Sequence, residues 1–185
     1  MRRLLACCLA LTCSLPLFAL WNPKIRSFEQ TMTEQRKVVS AYCRLDFQGG
    51  RLTPEGWERM SNLTTFRENP DFNSFFIVSR YQLIDNPTPT ANVDVAYVVI
   101  GRFEEGAGYM PMPSSVRNVS FEMRDQNGEL RIDRIEPTTP FVSRAAAINW
   151  LKTLLTTQKD PTARAQIEAA IQAMEAPSKS APPSK

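Results

Sequence analysis

The hydrophobic period of this chain changes at Asn69-Pro70-Asp71. Before that point Val38, Val39, Tyr42 and Leu45 recur at spacings of three and four. After it, apolar and polar residues alternate. A helix returns a side chain to the same face every three or four residues and a strand every second. Helices therefore come first and a sheet after, and Pro70 holds the residue before it away from helical geometry at the junction.

A first helix is expected from about Thr31, and Gly49-Gly50 supply its left-handed stop. Thr53-Pro54-Glu55 restarts a helix, with Thr53 as N-cap and Pro54 in the first turn, and Trp57 and Met60 give it an apolar edge. Four strands are expected beyond the junction. In the first, Ile77, Ser79, Tyr81 and Leu83 share a face; in the second, Val93, Val95, Tyr97 and Val99 do so. In the third, Val119, Phe121 and Met123 lie together, and Asn127-Gly128 turns it into the fourth, "ELRIDRIEP". "NPTPT" and "EEGAGYMPMPSS" read as connections, and Pro137 and Pro140 as the end of the sheet. One-sided strands of this kind pair antiparallel. Two further helices follow. Ser143 caps one with a stripe of Ala147, Trp150, Leu151 and Leu154. Asp160 caps the other, with Ala163, Ile167, Ala170, Ile171 and Met174. Trp150 is too large for the small residues of the second stripe, so it and Leu154 are expected to dock on the main domain.

The N-terminus has a different character. Arg2-Arg3, an apolar run from Leu4 and Leu17-Phe18-Ala19 have the layout of a cleaved signal peptide over residues 1 to 19. The run is short for a bilayer span of about 20 residues; an uncleaved membrane anchor is the alternative. Leu4-Leu5-Ala6-Cys7 resembles a lipobox but precedes the apolar stretch. A spacer over residues 20 to 30, a domain over 31 to 136, a helical extension over 137 to 174 and a polar tail over 175 to 185 complete the expected organisation. The expected location is secreted or periplasmic, with no membrane span once the signal is removed.

Composition narrows the chemistry. The chain has 22 Lys+Arg, 19 Asp+Glu and no histidine. Two of the arginines lie in the signal segment, so no basic footprint for nucleic acid is left. Without histidine, Ser-His-Asp and Cys-His catalysis and histidine metal sites are excluded. Cys43 alone persists beyond the signal, which removes an internal disulfide and a cysteine zinc cage. No metal or cofactor is expected. Asn62 and Asn118 open N-x-S/T sequons, relevant only in a eukaryotic secretory pathway.

Helices first, the helix end "YCRLDFQGGRL" and the closing hairpin "FEMRDQNGELRIDRIEP" together resemble the nuclear-transport-factor-2-like (SnoaL-like) superfamily over about residues 31 to 136. The resemblance implies an α+β fold. N-terminal helices would pack on a curved four-stranded antiparallel sheet to form a cone, and the C-terminal helical pair departs from that pattern. Family members include enzymes and non-enzymatic binders, so the fold does not give the function.

Tyr42, Cys43 and Asp46 lie near one face of the first helix. If that helix lines a cone, Asp46 would act as proton carrier and Tyr42, Tyr81 and Tyr97 as oxyanion donors, in a ligand pocket resembling that of ketosteroid isomerases. The ordinary reading gives the same residues to the core: tyrosines packing their rings and a small buried thiol. The expectation is an exported module that binds a small molecule or an envelope protein and that self-associates as a homodimer through the sheet. A cofactor-free lyase or isomerase is the alternative.

Overall fold

The computed structural model describes residues 28–85 and 92–176. The signal segment, the spacer up to residue 27, the connection over 86–91 and the tail from 177 lie outside the described residues. Helix α1 (Phe28–Phe47) begins three residues earlier than expected. A short 3-10 turn (Gly50–Leu52) leads into α2 (Pro54–Ser61). Gly49 at φ 84° makes the left-handed break, and Thr53 Oγ1 accepts from Gly56 N at 3.1 Å to cap α2.

The fold is α+β; among the described residues, four α-helices surround a curled sheet that differs from the expected one. It has five strands: β1 (Ser74–Leu83), β2 (Asn92–Glu104), β3 (Gly108–Gln126), β4 (Glu129–Glu136) and β5 (Phe141–Ser143), in the order β4-β3-β2-β1-β5. The first four are antiparallel neighbours. β5 returns to the opposite edge and pairs parallel with β1, Phe76 opposite Phe141. The sheet is therefore mixed and does not end at Pro137 and Pro140. Three residues carry too little alternation to mark a strand, and β5 is held by pairing with a distant segment.

The stretch expected as a loop from Tyr109 to Ser115 is strand. β4 pairs with β3 only from Ser120 onward, so the earlier half of β3 has a neighbour, β2, on one side alone. Pro111 and Pro113 are tolerated there because an edge position does not require their missing N–H. Asn127 and Gly128 turn the β3–β4 hairpin with φ of 57° and 85°.

Bulges decide which face each side chain meets. In β1 the register shifts on both sides of Val78, so Ile77 faces away from Tyr81 and Leu83, contrary to simple alternation. In β2 a shift between Val99 and Gly101 sends Phe103 to the face opposite Val99. The result is a core on each side of the sheet. On one face α1 and α2 bury Val39, Tyr42, Trp57 and Met60 against Val95, Tyr97, Phe121 and Ile132. On the other, α3 (Arg144–Thr157) and α4 (Pro161–Glu175) bury Leu151, Ile167 and Met174 against Phe75, Ile77 and Val142. The stripes read from the sequence face the core, with Val38, Leu45, Trp150, Leu154 and Ala163 only partly buried. Trp150 meets Phe75 and Phe103 edge to face, at centroid distances of 5.5 and 6.0 Å.

Candidate functional site

The last turns of α1 place Tyr42, Cys43 and Asp46 on its sheet-facing side. Tyr42 packs edge-on against Phe121, at 5.7 Å between centroids. Tyr97 comes up from β2, and its hydroxyl donates to Cys43 Sγ at 3.0 Å. Tyr97 also stacks on Phe141 at 4.3 Å. The Phe141 N–H donates to Asp46 Oδ2 at 3.0 Å, so the first residue of β5 ties the C-terminal extension to the foot of α1. Tyr42, Asp46 and Tyr97 are thus gathered as the sequence suggested. Tyr81 stands at the margin, half-buried, with its ring against Phe47 and Tyr97 at 5.6 and 5.8 Å.

Sequence reasoning missed Arg51. Its guanidinium is buried and donates from Nε to Asn69 Oδ1 at 3.1 Å, from Nη2 to Pro70 O at 3.2 Å, and from Nη1 to Thr138 O. Its neighbours give the only hint: it sits between the Gly49-Gly50 break and the Thr53 cap, where a side chain has little room to reach water. Phe141, also missed, is one of only two apolar residues, with Val142, between Pro140 and the Ser143 helix cap.

The electrostatics follow from burial. Loss of water pushes the Asp46 carboxyl up to about 6, opposed by the Arg51 guanidinium and the Phe141 N–H. Asp46 Oδ1 has no hydrogen-bond partner. Burial pushes the Cys43 thiol up to about 12, so it is protonated and unreactive at neutral pH. The Tyr42 and Tyr97 hydroxyls are raised chiefly by burial as well. Arg51 is near enough to pull Tyr42 back down, yet Tyr42 Oη meets no partner in hydrogen-bond geometry.

This cluster has an acid of useful pKa but no mouth. Asp46 is 2% exposed, Tyr42 and Tyr97 1% each. None of the principal cavities formed by the described residues is lined by them. The Phe141 ring covers Tyr97 and its N–H takes one oxygen of Asp46.

An aromatic-walled concavity lies on the other face. A cleft of about 340 Å³ runs between the start of β1, the β2–β3 turn and the helices α3 and α4. Phe72, Phe75, Phe103, Trp150, Leu154 and Ile167 supply its apolar walls. No protein-family model matches the chain, and no curated protein or solved structure matches it either. Function is therefore read from geometry. Among the described residues no helix is long and apolar enough to cross a membrane, and no group of three or more His, Cys, Asp or Glu is placed to hold a metal.

Proposed function

We propose that this chain is an exported binding or accessory module of the nuclear-transport-factor-2-like cone type, and that it works by holding a ligand, not by converting one. The observation that carries this reading is the division of labour between the two faces. The carboxylate–tyrosine cluster is packed shut by Phe141, while an aromatic-walled cleft stands open behind the sheet. Preformed, mostly apolar clefts with a few polar groups are the usual form of small-molecule sites. The location is outside the cytoplasm, as the N-terminal layout implies, and the occupant is a small molecule or an envelope protein. The reading includes self-association through the sheet, for which the one-sided half of β3 offers exposed Met110 and Val116.

One observation favours an enzyme instead. Asp46 is dry, half unpartnered and raised to about 6, properties expected of a proton carrier in a lyase or isomerase. The two readings separate on Asp46→Asn. A module that binds through the cleft keeps its ligand affinity in that variant. Turnover of a carbonyl substrate by the wild type, lost in an Asp46→Asn variant that stays folded and no less stable, would establish the enzyme.

A further inference from the structure

The cleft behind the sheet has a floor, a wall and a rim, each with distinct chemistry. Phe75 and Phe103 stack at 5.1 Å to form the floor. Trp150, only partly buried, stands across them as the wall and lines the cleft. The rim is polar and almost entirely neutral: Asn73, Ser74, Gln158 and Gln166. The exception is Glu105, and no lysine or arginine lines the space. Gly106 and Gly108 contribute no side chains to the turn, so the mouth beside Glu105 is unobstructed.

Glu105 is anchored through its backbone and, among the described residues, has no countercharge. Its backbone N–H donates to Asn73 O at 2.9 Å, which anchors the turn to the start of β1. Its neighbour Glu104 faces Arg102 at 3.4 Å, but Glu105 pairs with no cation among the described residues. The nearest cation along α4, Arg164, is engaged elsewhere: it donates to Leu155 O at 2.7 Å and Gln158 O at 3.2 Å, and faces Glu168. The positive end of α4 is likewise answered, because Asp160 accepts from Thr162 N and Ala163 N.

Resting on the reading of this chain as a binding module, we propose that the cleft takes a small organic cation with an apolar body, its charged head between Glu105 and the aromatic wall. Three physical terms select that class. An anion would meet Glu105, and Arg102, which donates to Ser74 Oγ at 3.0 Å at the rim, already faces Glu104. A neutral apolar molecule gains burial alone. A cation gains burial, the carboxylate and the negative faces of the rings together. Size is consistent: an apolar cavity of ~150 Å³ accepts benzene, so this cleft accommodates a ring and a compact ammonium head.

The test uses the whole mature chain and three probes of similar size: benzyltrimethylammonium, benzyl alcohol and phenylacetate. Binding is followed by calorimetry and by thermal shift. Glu105→Gln, at an exposed turn, removes the charge. Gln166→Trp, at an exposed position on α4, fills the cleft from its rim. The expected result is that benzyltrimethylammonium binds about fivefold to tenfold more tightly than benzyl alcohol, that Glu105→Gln erases this preference, and that Gln166→Trp abolishes binding of both. Added salt weakens only the cation, since Glu105 is exposed. Equal affinity of the cation and the alcohol, or preference for phenylacetate, with loss in Gln166→Trp, overturns the ligand class while the cleft remains the site. Binding that survives Gln166→Trp, or no binding of any probe at millimolar concentration, overturns the site as well.

Discussion

Asp46 carries opposite consequences for stability and for chemistry. Its carboxyl is raised from 3.8 to about 6 in the fold, so between those values the folded chain binds more protons than the unfolded one. The linkage sign follows: this group's stabilising share is fully present below about pH 4 and is lost as pH rises through 6. A shift of that size corresponds to about 3 kcal/mol. Asp46→Asn keeps an acceptor for the Phe141 N–H and removes the buried charge. Chemical denaturation at several pH values should find this variant more stable than wild type at pH 7.5, by about 1–3 kcal/mol, with the difference vanishing or reversing near pH 4. Asp46→Ala leaves the Phe141 N–H without its acceptor and should cost about 1–3 kcal/mol at low pH, where the charge penalty is absent. The residues of this cluster were legible because Tyr42, Cys43 and Asp46 share a helix face whatever the tertiary structure. Their partners were not. Arg51 and Phe141 arrive from a tight corner and from a strand 95 positions away from Asp46, and no local pattern encodes either arrival.

Among the elements, those with their own punctuation were readable. The Gly49 break, the Thr53, Ser143 and Asp160 caps and the Asn127-Gly128 turn each act through neighbours within four residues, and all are present. What depends on pairing across the sheet was not readable. The bulges at Val78 and after Val99 reverse the facing of Ile77 and Phe103, and the Pro111–Pro113 stretch becomes strand because β4 stops short of it. Those reversals create the second core, where α3 docks through Trp150. Trp150→Ala should therefore destabilise the domain by about 2–4 kcal/mol, below the usual range for a fully buried tryptophan because the indole is only partly covered. A urea titration measures it. A change under 0.5 kcal/mol would mean that the helical pair is not supported by that contact. Val116→Lys, at a position 65% exposed on the β3 edge, should leave the stability of the monomer within about 0.5 kcal/mol of wild type and weaken the proposed self-association.

At the scale of the molecule, the C-terminal extension is part of the domain and not an appendage. β5 completes one edge of the sheet, Phe141 closes the cluster at the foot of α1, and α3 with α4 covers Phe75, Ile77 and Phe103. Deleting residues 141 to 185 uncovers that apolar face and strands Asp46. The truncated chain is expected to melt at lower temperature and to self-associate in size-exclusion chromatography; a stable monomer of unchanged melting temperature would make the extension an independent arm. On the proposed reading, the ligand site is the cleft behind the sheet and not the interior between α1 and the sheet. Amide correlation spectra of residues 20 to 185, titrated with benzyltrimethylammonium, test that reading most directly. The account predicts that shifts concentrate on Ser74, Glu105, Gln166 and the Trp150 indole, and that Tyr42, Asp46, Tyr97 and Phe141 stay unmoved. Shifts centred on Tyr42, Asp46 and Phe141, with the cleft residues silent, would contradict it.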